Sequence, residues 1–172
     1  MTDLFISNAD TILTMDDDDR ELAGAAIRLR NGRIAAVGDL SPEAGETVID
    51  ARGCVVTPGL VNTHHHLYQT LTRAVPGGQD ALLFGWLQTL YPIWARFGPD
   101  EMFTSAQIGL AELALSGGTL SSDHLYLYPN GARLEDTIAA ARLAGLEKVS
   151  LLQEPVAAAL AAIAHSKQKD GV

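Results

Sequence analysis

The hydrophobic period changes at Pro58-Gly59, and that change limits the available folds more than any other feature of the chain. Before it, apolar residues alternate, as they do in strands with one buried face. Phe5 to Met15 is a β-rich run, closed by the acids Asp16 to Asp19. Ala25 to Val37 reads as a hairpin: AAIRLR and RIAAV flank Asn31-Gly32, and both residues of so tight a turn take positive φ. That pairing predicts a shared core drawn from Ile27, Leu29, Ile34 or Val37. Thr47 to Asp50 and Cys54 to Val56 are expected to form a second pair around Ala51-Arg52-Gly53. Residues 1–56 thus read as a small antiparallel unit, the β-sandwich portion of the chain.

After Pro58-Gly59 the spacing becomes helical. Leu83, Trp86, Leu87, Leu90 and Trp94 lie three or four apart, as one buried helix face requires. Gly98-Pro99 with Asp100-Glu101 is a helix start, running through Ile108, Leu110 and Leu113 to a stop at Gly117-Gly118. Thr119 to Leu125 predicts a short strand, Leu134 to Ala144 an Ala-rich helix closed by Gly145, and Leu146 to Leu152 a strand again. Strand and helix in alternation are the βαβ rhythm of a parallel sheet or barrel, so the fold class is α/β.

Composition narrows the function. Hydrophobic residues make up 47% and charged ones 19%, enough to bury a core. The net charge of −9, with no face of clustered Lys or Arg, argues against nucleic acid. Cys54 is the single cysteine, which excludes an intrachain disulfide and a Cys-rich zinc site. The start lacks a basic-then-apolar signal pattern, and no stretch reaches the ~18 apolar residues of a membrane span. A soluble cytoplasmic protein without a membrane partner is the expectation.

Chemistry concentrates at His64-His65-His66. If this segment ends a strand, period two puts His64 and His66 on one face and His65 on the other. Two imidazoles there can hold one divalent ion through their free ring nitrogens. A bare His-x-His is also what a polar loop carries, and the spacing alone is a weak motif.

The surrounding string is more specific. Val56-Thr57-Pro58-Gly59-Leu60-Val61-Asn62-Thr63 leads into the histidines directly after the β unit, and it resembles the amidohydrolase superfamily. His66 to Pro76, Leu83 to Leu87 and Ser121 to Pro129 are similar to the 8-oxoguanine deaminase group, over about residues 4–142. Hydroxytriazine aminohydrolases and guanine deaminases carry similar strings. The resemblance implies a distorted (β/α)8 barrel flanked by a β-sandwich, with His64 and His66 as the first two ligands of one zinc or iron. It implies hydrolysis of a small heterocyclic substrate, in which metal-activated water attacks the amino-bearing ring carbon and ammonia leaves. Gln69 matches a glutamine facing the purine, and its amide offers both a donor and an acceptor. Trp86 matches a pocket-facing tryptophan, although periodicity alone makes it core. His124, after the second barrel strand, falls where barrel sites gather, while a surface histidine is the plainer reading. Arg73 and the Asp16 to Asp19 run read as solvated, Tyr68, Tyr126 and Tyr128 as packing, and His165 has no assigned role.

Residues 57–142 suffice for the first βα units of a barrel of ~250 residues. The five histidines, 64, 65, 66, 124 and 165, include none in the context of the family's later-strand ligands. A truncated barrel and an incomplete, noncatalytic site are therefore expected, with uncovered sheet edges that favour homo-oligomers or poor folding. The segment 144–164 departs from the deaminase pattern. Its Glu154-Pro155-Val156-Ala157-Ala158-Ala159-Leu160-Ala161 is similar to a stretch of the seventy-kilodalton heat-shock chaperone ATPase domain, without that domain's phosphate-binding glycines. Residues 143–172 thus read as an unrelated strand and helix joined near 140–145.

Overall fold

In the computed structural model, which describes residues 3–146 and 148–151, the run from Phe5 to Met15 is two strands rather than one. Asn8 adopts φ 58°, a left-handed conformation that asparagine tolerates, and breaks the run into β1 (Leu4–Ser7) and β2 (Thr11–Leu13). The two lie in different sheets. Contrary to expectation, β6 (Thr47–Asp50) and β7 (Val55–Val56) do not pair with each other. β6 runs parallel to β1, and β7 runs parallel to β2. The sheets are therefore mixed, and the antiparallel reading of residues 1–56 is corrected. Hydrogen bonds explain why. Ala51 N–H donates to the Ser7 carbonyl (2.8 Å) and Asp10 N–H to the Cys54 carbonyl (3.1 Å), so the two crossings run side by side and step between sheets together. Gly53, at φ 77°, supplies the bend that a β-carbon would strain.

β3 (Glu21–Ala23), β4 (Ala26–Arg30) and β5 (Arg33–Gly38) complete sheets ordered β5-β4-β1-β6 and β3-β2-β7. The β4–β5 hairpin turns at Asn31 (φ 53°) and Gly32 (φ 72°), as the Asn-Gly pair predicts. Ile6, Ile27, Leu29 and Val37 from one sheet meet Ile12, Leu22 and Val56 from the other around Ala9, Ala25 and Ala51. Ile34, opposite Leu29 beside the turn, is 62% exposed, because cover thins from buried Ile27 to half-buried Leu29. On the opposite face of β4, Arg28 lies over the Phe5 ring and donates to the Glu46 carboxylate (2.5 Å) and the Ser41 carbonyl (2.6 Å). The Arg28 bond holds the Glu46 carboxyl below its usual range.

The chain divides into units Met1–Val61 and Asn62–Val172. The second begins at the end of β8 (Leu60–Asn62), which pairs with β9 (Gly118–Ser121). The strand expected over Thr119 to Leu125 is thus shorter, but its course continues: Ser122 N–H donates to the Asn62 carbonyl and His124 N–H to the His65 carbonyl. Between the two strands come 3-10 turns at Leu67–Thr72 and Pro76–Gly78, then α1 (Leu83–Trp94) and α2 (Pro99–Leu115); α3 (Leu134–Leu143) follows β9. On α1, Leu90 and Trp94 are buried and Trp86 and Leu87 half-buried, whereas Leu83 at the helix start is 65% exposed and corrects the expected apolar face. In α2, Glu101 turns back to accept Gly98 N–H (2.7 Å), which closes the start expected there. Leu143 still belongs to α3, residues 148–151 are irregular rather than strand, and residues 147 and 152–172 of the proposed tail, with His165, lie outside the described residues. Among the described residues no helix is long and apolar enough to cross a membrane.

Helix α2 packs against the turn after β8 at very short range. Ser105 is fully buried; its hydroxyl lies 2.8 Å from the Leu67 and Tyr68 carbonyls and accepts Leu71 N–H. One turn on, Gly109 has no room for a side chain, since a β-carbon there would stand 2.8 Å from Thr70 Oγ1 and 2.9 Å from Leu67 Cδ2. Gly109→Ala is therefore expected to lower stability by about 1–3 kcal/mol from overpacking, despite the ~0.5–1 kcal/mol that alanine ordinarily brings to a helix. A thermal melt measures it, and an unchanged or raised midpoint would contradict the packing. In the N-terminal unit, the folded Glu46 carboxyl lies below its unfolded value of ~4.3, so its stabilisation is complete above that value and fades as pH falls through the lower one. The melting difference between wild type and Glu46→Gln should therefore be largest near neutrality and shrink below about pH 4.

Candidate metal centre

Asn62 ends β8 by accepting the His64 N–H on its own side-chain oxygen (3.0 Å), which turns the backbone at the strand end. Beyond it, successive side chains diverge. His64 and His66 bring their Nε2 atoms to 3.1 Å of each other. His65 turns towards α2, where its Cε1 would lie 3.6 Å from a β-carbon at Gly109. Among the described residues its Nδ1 is buried without a partner, and burial pushes its pKa down, which makes it a neutral packing group.

The protonation of His66 follows from one contact. Its Nδ1 lies 2.8 Å from the His124 carbonyl, which can only accept, so Nδ1 carries a proton and, in the neutral ring, the lone pair sits on Nε2, facing His64. A backbone carbonyl on the far nitrogen is the usual support of a metal-binding imidazole. Two ligands ~2.0–2.1 Å from one tetrahedral ion lie roughly 3.3 Å apart, close to the spacing found between these two nitrogens. The pair therefore fits a zinc-like ion. Among the described residues, no group of three or more His, Cys, Asp or Glu side chains is arranged to hold one.

Aromatic rings wall the pair. The His124 ring lies tilted on His64, centroids 4.4 Å apart. Tyr126 and Tyr68 stand edge-on to His66 at 5.4 and 6.3 Å. Gln69 Nε2 reaches both phenol oxygens, Tyr68 at 3.0 Å and Tyr126 at 3.4 Å. Tyr68 is fully buried, and burial pushes its pKa upward, so the phenol keeps its proton. The structure thus gathers His64, His66, Gln69 and His124 at one end of the β8–β9 pair. Trp86 is not among them. It packs on Trp94 (5.3 Å), which packs on Tyr68, two rings away from His66, within the apolar core of α1.

Two participants escape a reading by motif. Tyr126 reads as packing, yet it is two residues from His124, and the period-two argument used for His64 and His66 would have put both on one face. Asp123 gives no local signal. Its carboxylate accepts Leu67 N–H (2.9 Å), a partner 56 positions away, and burial raises its pKa. Arg73 forms an exposed two-pronged pair with Glu112, and Asp16 to Asp19 are exposed, with Asp16 paired to Arg20 and its pKa lowered to about 2.

No protein-family model matches the chain. It is 42% identical over 134 residues to the 8-oxoguanine deaminase of Pseudomonas aeruginosa, covering 76% of this chain and 29% of that protein. It is 44% identical over 131 residues to an isoxanthopterin deaminase from an unknown prokaryotic organism, covering 73% and 27%. Among solved structures, it superposes with a TM-score of 0.72 and 34% identity on an atrazine chlorohydrolase from Arthrobacter aurescens complexed with zinc, covering 83% of this chain and 34% of that one. The chain spans about three tenths of the length of the curated relatives it matches.

His64→Ala and His66→Ala should each weaken cobalt binding by about 10-fold or more, read from the absorption spectrum of the titrated ion. His65→Ala should leave it nearly unchanged. Equal losses at all three positions would contradict the divergence of the side chains.

Proposed function

From its place among the amidohydrolases related to 8-oxoguanine deaminase, of which it carries the N-terminal part, we propose that this chain belongs to a metal-dependent hydrolase of small nitrogen heterocycles. His64 and His66 supply two ligands of one zinc or iron. The observation that carries this reading is the 3.1 Å approach of the two Nε2 atoms, with the His66 proton held on the other nitrogen by a carbonyl. When bound, such an ion lowers the pKa of water enough to supply hydroxide near neutral pH. The named relatives are deaminases of 8-oxoguanine and of isoxanthopterin, which supports C–N hydrolysis of a purine or pterin as the reaction.

The residues around the pair suit a flat ring. Gln69, its amide nitrogen directed to the two phenols, keeps its carbonyl oxygen to accept from a ring N–H. The exposed Tyr126 and half-buried His124 offer edges and faces for stacking. Trp86 packs on Trp94, two rings from His66, so we assign it to the core. A triazine substrate is the second reading, favoured by the likeness to the atrazine chlorohydrolase.

Two imidazoles are fewer than the three protein ligands of a catalytic zinc, so the groups described here do not complete the reaction by themselves. Leu82, Phe84, Leu115 and Leu120 are 88, 79, 89 and 62% exposed, and apolar surface of this kind favours association. The 172-residue chain should therefore bind zinc weakly, elute as more than a monomer in size-exclusion chromatography, and release no ammonia from 8-oxoguanine or guanine. Ammonia release that His64→Ala abolishes and added zinc restores would show instead that groups of this chain, His124 first, complete the site.

A further inference from the structure

We propose that Asp123 is a positioning residue for His66: it locks the turn after β8 so that the His66 ring keeps a single tautomer and presents its bare Nε2. Three bonds tie residues 65–67 to residues 123–124. Leu67 N–H donates to Asp123 Oδ1 (2.9 Å), His124 N–H donates to the His65 carbonyl (2.7 Å), and His66 Nδ1–H donates to the His124 carbonyl (2.8 Å). The backbone on both sides of His66 and the ring itself are thus fastened to two consecutive residues of the segment that leaves β9. Only one of the three bonds depends on a side-chain acceptor, and that acceptor is Asp123. It is the bond that substitution can remove without touching either imidazole.

Leu67 N–H belongs to the first turn of a 3-10 helix, where backbone donors have no partner inside the helix. Without the carboxylate, this buried donor loses its acceptor, and the turn gains freedom to rotate His66 away from the His124 carbonyl. The Nδ1 proton then has no fixed acceptor, and the ring divides between its two tautomers. For metal binding, this inference rests on the reading of His64 and His66 as ligands; for the tautomer it does not.

The test uses the whole chain, free of metal, at a single pH where the histidines are neutral. In the nitrogen-15 spectrum of the imidazoles, wild-type His66 should show a protonated Nδ1 and a bare Nε2. Asp123→Ala should shift a measurable share of His66 to the other tautomer and weaken cobalt binding by about 10-fold or more. Asp123→Asn keeps an oxygen acceptor and should restore both. An unchanged tautomer in Asp123→Ala overturns the proposal, as does Asp123→Asn behaving like Asp123→Ala. A tautomer shift in a protein that takes up no cobalt upholds the positioning role and overturns the metal reading instead. Should Asp123→Ala not fold, hydrogen exchange in the wild type decides: a Leu67 amide protected like those of the core supports the bond, and exchange as fast as an exposed loop overturns it.

Discussion

Helix α2 can approach the turn after β8 because residue 109 ends at its α-carbon, and the geometry of the histidines follows from that approach. With the helix so close, Ser105 reaches the Leu67 and Tyr68 carbonyls, and Leu67 packs beside Ala106, Leu110 and Ala140. His65 is enclosed on the same side. Alternation then leaves its neighbours no direction but the opposite one. The pairing of His64 with His66 is in this sense a product of packing on the far face of the segment.

Around that fixed turn, the polar and apolar parts divide cleanly. Trp94, Tyr68, Leu90, Phe97, Met102 and Ala132 form one buried cluster, and the Trp94 indole satisfies its N–H on Thr72 Oγ1 (2.9 Å). Tyr68 belongs to both worlds: its ring is wholly buried in the cluster, while its hydroxyl joins Gln69 and Tyr126. Through this residue the core fixes the orientation of a side-chain amide beside the histidines. A change in the cluster therefore reaches Gln69 by a path of one residue.

What the sequence revealed depends on how local each determinant is. The Asn31-Gly32 turn, the start of α2 at Pro99 and the divergence of His65 from His64 and His66 are set within a few residues, and each is legible. The partners of β6 and β7 are not, because they are strands about 43 residues earlier, and the near neighbour looks like the natural partner. Asn8 escapes for a different reason: a single left-handed residue within a β-rich run changes the sheet but hardly alters the pattern. The same distance hides Asp123 from a search centred on His64 to His66, whereas Tyr126 lies within period two of His124. Family likeness named Gln69 and Trp86, and a place at a strand end named His124; the structure gathers Gln69 and His124, while Trp86 packs against the core.

The acceptor that fixes the His66 proton is a main-chain oxygen, which every amino acid possesses. Position 124 could drift through most of the genetic code without that bond losing its chemistry. Its side chain is thereby released from the support of His66, and here the freed histidine lies on His64 instead. A scaffold with this arrangement separates what must stay constant from what can vary at one and the same residue: the backbone keeps the imidazole in order, while selection is left to retouch the surface that a ligand would meet.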